Sequence, residues 1–144
     1  MKVVIGSDHG GWQLKEEIKP VLEELEIDYE DVGTFDEESV DYGPIGKKVA
    51  EKVASEEADR GILICGTGIG MSIMANKVKG IKAALVHNIF SAKATRAHNN
   101  SNVLCMGGRV VGPEIAKEIT KVWLTTDFDR GRHQRRINFI EEYE

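Results

Sequence analysis

Gly61-Ile62-Leu63-Ile64-Cys65-Gly66-Thr67-Gly68-Ile69-Gly70-Met71-Ser72 is an apolar run of strand length that breaks into a glycine-rich turn and then into a helical pattern. The run carries no polar residue between Gly61 and Cys65, as expected of a strand covered on both faces. The helical pattern that follows extends from about Ile69 to Asn76. Outward from this unit the same order repeats in both directions. Upstream lie a strand at Val3-Val4-Ile5, a helix from Leu14 to Leu25, a strand from Tyr29 to Val32 and a helix from Ile45 to Val53. Downstream lie a strand from Lys82 to Val86, a helix near Ser91 to Ala97, a strand from Asn102 to Met106 and a helix from Gly112 to Leu124. Strands that alternate with helices throughout predict an α/β fold, a three-layer sandwich built on a five-stranded parallel sheet with helices on both faces.

In such sheets ligands bind beyond the carboxyl ends of the strands, where loops lead into helix N-termini. That rule selects Gly6-Ser7-Asp8-His9-Gly10-Gly11, Gly33-Thr34, the Gly66 to Gly70 segment, His87-Asn88 and Gly107-Gly108-Arg109. Three of these loops are rich in glycine, which lets backbone amides approach a ligand closely. The 144 residues suit one domain spanning 1–144, and no linker, repeat or low-complexity segment interrupts them.

Composition narrows the classes of function. With 41% hydrophobic and 30% charged residues the chain is an ordinary globular one. A net charge of −5 disfavours nucleic acid as a partner, since only the C-terminal arginine cluster offers a basic patch. No run of about 18 apolar residues points to a membrane, and no basic-then-apolar leader is present. Cys65 and Cys105 form no CxxC pair, so the expected setting is cytoplasmic with reduced thiols.

The turn after the central strand has glycines at alternate positions, 66, 68 and 70, directly before a helix. Its amides can cradle an anion or a developing oxyanion, helped by the helix dipole. The spacing is not GxGxxG, and no Lys-Ser or Lys-Thr pair follows as in a P-loop, so dinucleotides and triphosphates are disfavoured. Cys65 closes the strand at the mouth of this cradle. A strand cysteine is often a core filler, but a thiol beside amides and a helix N-terminus also suits a general base or nucleophile. Cys105 reads as structural.

Asp8 reads either as a helix cap ahead of Gly10-Gly11 or as a proton-transfer group, and His9 beside it favours ligand contact. His98-Asn99-Asn100 ends a helix, which fits both a C-cap and a proton shuttle at His98, a side chain that titrates near neutral pH. Arg109, Arg132 and Arg136 are the phosphate candidates, the last two sharing a helix face through their four-residue spacing, while Arg130 and Arg135 read as solvated. The polar tail from about residue 125 ends in Ile137, Phe139, Ile140 and Tyr143. Apolar residues with no later element to cover them must dock on their own domain or on a partner, and a partner is expected.

Taken together, Gly6-Ser7-Asp8-His9, Glu38-Ser39-Val40-Asp41-Tyr42, Gly61 to Gly70, Ala75-Asn76-Lys77, His98-Asn99-Asn100, Gly108 to Gly112 and Gly131 to Arg136 resemble the type B ribose-5-phosphate isomerases. These belong to a wider group that includes the galactose-6-phosphate enzymes, and the resemblance runs in order from residue 1 to about residue 142. It implies a Rossmann-like subunit in a homodimer or a tetramer, a C-terminal dimerising tail, and no metal or organic cofactor. By the same resemblance Cys65 is the base that moves a proton between C1 and C2. Thr67, the amides of Gly66, Gly68 and Gly70, and Asn99 hold the enediolate oxygens; Asp8 and His98 open the ring; and Tyr42 neighbours the sugar. His9 and Arg109 would bind the phosphate, joined by Arg132 and Arg136 from a second subunit. The family commonly has proline directly after Asp-Tyr, whereas here Gly43 precedes Pro44.

The resulting expectation is an aldose-ketose isomerase acting on ribose 5-phosphate and ribulose 5-phosphate. A hexose 6-phosphate of the allose or galactose type would use the same chemistry, because pocket length separates them. The reading from another class, a non-catalytic sugar-phosphate sensor or nucleotide-binding module, leaves Cys65, Asp8 and His98 without a task.

Overall fold

The computed structural model describes all residues, 1–144. In chain order the elements are β1 (Lys2–Ser7), α1 (Trp12–Glu24), β2 (Asp28–Asp31), α2 (Tyr42–Ala54), β3 (Arg60–Cys65) and α3 (Ile69–Ala75). They continue with β4 (Ala83–Leu85), α4 (Ile89–Asn99), β5 (Val103–Gly107), α5 (Pro113–Thr125) and α6 (Arg132–Tyr143). All strand pairs are parallel, in the order β2-β1-β3-β5-β4. This is the expected five-stranded α/β sandwich.

Strand alternation sends successive side chains to opposite faces, and helices cover both. On one face Val3, Ile5, Ile62, Ile64, Leu104 and Met106 pack against Leu14, Ile18 and Leu22 of α1 and Ala116, Ile119 and Trp123 of α5. On the other, Val4, Leu63, Cys65, Val103 and Cys105 meet Val49, Ala50 and Val53 of α2 and Met71 and Ala75 of α3. Fully burying one such aliphatic side chain contributes ~1.5–3 kcal/mol, so the two layers dominate stability.

Behind the β1 and β2 loops Lys15 is fully buried, bound to Asp31 at 2.7 Å and to the Thr34 carbonyl, with its ammonium 4.7 Å from the Phe35 ring centroid. Lys19 reaches the same carboxylate at 2.6 Å. Burial alone would raise the Asp31 pKa, but hydrogen bonds from Lys15, Lys19 and the Gly33 amide outweigh it and hold the carboxyl below its ordinary 3.8.

The tail is a helix. Through Ile137, which is buried, α6 rests on its own chain, with Lys82 paired to Glu141 at 3.0 Å and the Gly80 amide donating to Glu144 at 2.7 Å. Phe139 and Tyr143 stay 73% and 90% exposed, so only part of its apolar surface is covered within one chain.

Candidate active site

Strand order reverses between β1 and β3, since β2 lies outward of β1 on one side and β5 and β4 lie outward of β3 on the other. That is the topological switch point, where loops diverge and leave a crevice. The loop leaving β1 carries Asp8 and His9, and β3 ends on Cys65. A cleft of about 410 Å³ opens there, lined by Asp8, Tyr42, Cys65, Gly66, Thr67, Gly70 and Arg109 together with Ile69 and Ile73.

Cys65 is buried, and its Sγ accepts the Gly68 amide at 3.1 Å. Gly68 makes this possible with a φ of +76°, a conformation that residues with a Cβ rarely adopt. A Cβ there would also lie 2.6 Å from Leu85 Cδ1 and 2.7 Å from the Met106 carbonyl carbon. Below, the cradle rests on β5: a Cβ on Gly107 would stand 2.7 Å from the Thr67 carbonyl carbon. Two further backbone bonds clamp the loops together, Gly108 N–H to the Cys65 carbonyl at 2.8 Å and Arg109 N–H to the Gly66 carbonyl at 3.0 Å. They bring the Arg109 guanidinium over Gly66, where Nη1 would lie 3.0 Å from an added Cβ.

Asp8 does not cap α1 itself, whose N-cap is Gly11; its Oδ1 accepts the Gly10 and Gly11 amides at 2.9 and 3.1 Å in the turn just before the helix, and the residue lines the cleft. His9 Nδ1 accepts the Val40 amide at 3.1 Å, which leaves the proton on Nε2. Asp41 is the residue before α2 and Tyr42 its first residue, so Gly43 and Pro44 fall in the first turn, where proline removes no helical bond. The Tyr42 ring lies on Gly70, whose added Cβ would meet Cζ at 2.5 Å. It forms the wall between this cleft and a neighbouring cavity of about 510 Å³ that reaches Asp41, Met74 and Lys77.

The remaining expected residues lie elsewhere. α4 starts at the carboxyl edge, and its length carries the chain back ~16 Å at 1.5 Å per residue. Asn99 consequently lines a cavity with Lys82 and Ala83 at the start of β4. His98, beside it, stacks on His133 of α6 with ring centroids 4.4 Å apart. Arg132 and Arg136 flank that pair, and slight desolvation together with the positive charges of His98, Arg132 and Arg136 lowers the His133 pKa below 6.5. Thus one chain assembles Asp8, Tyr42, Cys65, Gly66, Thr67, Gly70 and Arg109, and gathers His98, Arg132 and Arg136 into a second group with His133. Asp8 and His98, expected to work as a pair, are not brought together within one chain.

His98, Asp129 and His133 have donor atoms within 4.8 Å of one another. The two rings lie nearly parallel, 15° apart, so their in-plane lone pairs run side by side and do not converge as a chelate requires. Ile69 and Ile73, not singled out from the sequence, form the apolar rim; their four-residue spacing on the face of α3 opposite the buried Met71 and Ala75 was the available signal. Cys105 is fully buried, and burial and the neighbouring Cys65 push its pKa up, in keeping with a structural role.

The model of the family described as Ribose/Galactose Isomerase matches residues 3–140. The chain belongs to the ribose/galactose isomerase family. A Bacillus subtilis (strain 168) relative, named provisionally as a sugar phosphate isomerase, is 61% identical over 145 residues, covering 100% of this chain and 97% of its own. Ribose-5-phosphate isomerase B of Escherichia coli (strain K12) is 46% identical over 143 residues, covering 99% and 96%. Another family member, from Mycolicibacterium smegmatis, 43% identical and covering 100% and 97%, is named D-erythrulose-4-phosphate isomerase 2. The solved structure of Clostridium thermocellum ribose-5-phosphate isomerase B superposes with a TM-score of 0.97 at 51% identity, covering 99% and 97%. This family member is therefore an enzyme, a sugar-phosphate isomerase of the type B ribose-5-phosphate isomerase class. No helix of the chain is long and apolar enough to cross a membrane.

Proposed function

We propose that the enzyme interconverts ribose 5-phosphate and ribulose 5-phosphate through an enediolate, with the Cys65 thiolate as the base. The observation that carries this reading is that Cys65 lies at the switch-point cleft that Asp8 and Arg109 also line, with its sulfur accepting an amide of the glycine cradle. Cys65 removes the proton from the carbon beside the carbonyl and returns it to the neighbouring carbon, so the reaction needs no outside oxidant or reductant. Negative charge develops on the sugar oxygens, where Thr67 and the amides of the Gly66 to Gly70 loop receive it. Arg109 and His9 hold the phosphate.

The groups missing from the cleft come from a second copy of this chain. Its His98 pairs with Asp8 for ring opening, its Asn99 assists at the enediolate, and its Arg132 and Arg136 complete the phosphate site. Support comes from the charged group around His98 and His133, which lies outside the cleft, and from the exposed apolar Phe139 and Tyr143 on the same helix as His133. The working enzyme is in this reading a homodimer that requires no metal or organic cofactor and acts in the cytoplasm.

The test is turnover of ribose 5-phosphate, allose 6-phosphate, galactose 6-phosphate and erythrulose 4-phosphate by the parent and by Cys65→Ala. The reading expects ribose 5-phosphate to give the highest kcat/KM, and expects the variant to bind sugar phosphate without turnover or exchange of substrate hydrogen with solvent. Full activity of Cys65→Ala would remove the central claim. A second reading, a hexose 6-phosphate substrate, draws on the cavity beyond Tyr42, which offers room for a longer chain; a higher kcat/KM on either hexose phosphate would favour it.

A further inference from the structure

His87 follows β4 and belongs to neither group of site residues. Its Nε2 accepts the Gly107 amide at 2.9 Å. A ring nitrogen that accepts carries no proton, so the imidazole is neutral with its proton on Nδ1. Partial burial acts in the same direction, lowering the His87 pKa from 6.5.

The position of this bond in the sheet gives it a consequence. The β4–β5 ladder ends where Val86 N–H donates to the Cys105 carbonyl at 3.0 Å. β4 then turns away, and the next β5 amide on that side, Gly107, would be left without an acceptor; the His87 ring stands in for the missing carbonyl. Gly107 is the register partner of Cys65 on the opposite side. It is also the surface on which the Thr67 backbone rests, and it begins the segment whose next two amides clamp Cys65 and Gly66 and deliver Arg109. One imidazole thus pins the residue that supports the cradle from beneath.

We propose, resting on the isomerase reading above, that His87 is a positioning residue that holds Gly107 and thereby sets the height of the Thr67-Gly68 cradle relative to the Cys65 sulfur. Only the neutral ring can do this, because a protonated Nε2 becomes a second donor facing the Gly107 N–H. The titratable or charged groups on the elements around it are Cys65 at the end of β3, Cys105 on β5, Arg109 after β5, and Lys93, Arg96 and His98 on α4, and none forms a hydrogen bond or ion pair with His87. Its titration is accordingly governed by burial and by the Gly107 bond.

Two variants and one spectroscopic signal test this. His87→Ala removes the acceptor, whereas His87→Gln offers an amide oxygen in its place that does not titrate. Misplacing a catalytic constellation by about 1 Å costs ~10²-fold, so His87→Ala should lose ~10–100-fold in kcat with KM changed less than about threefold. His87→Gln should recover to within about threefold of the parent and keep its activity to lower pH. In the resting protein the Gly107 amide resonance should follow a titration below pH 6.5 that is missing in His87→Gln. A residue that served stability alone would lower the melting temperature and leave kcat per folded enzyme unchanged. A folded His87→Ala with kcat within twofold of the parent, or a His87→Gln no better than His87→Ala, overturns the proposal. A parent that turns over none of the sugar phosphates overturns the isomerase reading instead, and the Gly107 titration then still decides whether His87 holds that amide.

Discussion

Alanine at Gly107 is the sharpest perturbation the structure offers to the cradle without touching a side chain. The added Cβ would lie 2.7 Å from the Thr67 carbonyl carbon and 2.8 Å from its Cα and oxygen, all backbone atoms that cannot rotate aside. Ordinary carbon contacts begin near 3.5 Å, so Thr67 and β5 must separate by roughly 0.7–1 Å. The φ of Gly107 is not in the left-handed region, so the backbone itself accepts alanine and the effect is one of contact alone. Overpacking of this kind costs ~1–3 kcal/mol, which lowers the melting temperature by ~2–4 °C per kcal/mol in a chain of this size. Displacing the cradle by that distance should lower kcat ~10²-fold, since donors aimed at a developing oxyanion work only within narrow geometry. The assay is the initial rate of ketose formation from ribose 5-phosphate, with a thermal melt to confirm that the variant is folded at the assay temperature. A folded Gly107→Ala with kcat within threefold of the parent would show that the cradle is not seated on β5 as argued.

Complementation tests the shared site: Cys65→Ala and His98→Ala should each be inactive, and an equimolar mixture allowed to exchange subunits should recover about a quarter of parent activity, because half the dimers are mixed and each holds one intact site. Recovery of none, with exchange confirmed by native mass spectrometry, would argue for sites complete within single chains. Gly43→Ala should stabilise the fold by ~0.5–1 kcal/mol, read by urea melts, since Gly43 sits in α2 with nothing within 4 Å of an added Cβ. Asp31→Asn should cost ~2–4 kcal/mol at pH 7 by leaving Lys15 buried beside a neutral group. Because the folded Asp31 pKa lies below 3.8, its contribution is complete above that pH and is lost as the pH falls through the folded value, so parent and variant should converge in acid. Finally, the His133 ring should titrate below 6.5 by NMR, and Arg132→Gln should move it upward by removing a neighbouring positive charge.

The residues determined a good deal by themselves. The alternation of apolar strand runs with helices such as Leu14, Ile18, Val21 and Leu22 is a local pattern, so element type, the parallel sheet and the carboxyl-edge loops were legible, as was the cradle beginning at Cys65. Only the tertiary structure decided the strand order, because pairing between distant strands leaves no local trace, and that order made the β1 and β3 loops a switch point carrying Asp8 and Cys65 together. The separation of His98 from Asp8 was half legible: a helix that begins at one edge of a parallel sheet must end at the other, and His98 closes that helix. Its stacking on His133 was not, since α6 reaches α4 from far along the chain. Nor was the bond from Gly107 to His87, which forms because β4 ends two residues short of β5 and leaves the Gly107 amide to satisfy. Local physics wrote the elements and the thiol at the head of the cradle; long-range packing determined which side chains share a cleft with it and which lie outside it.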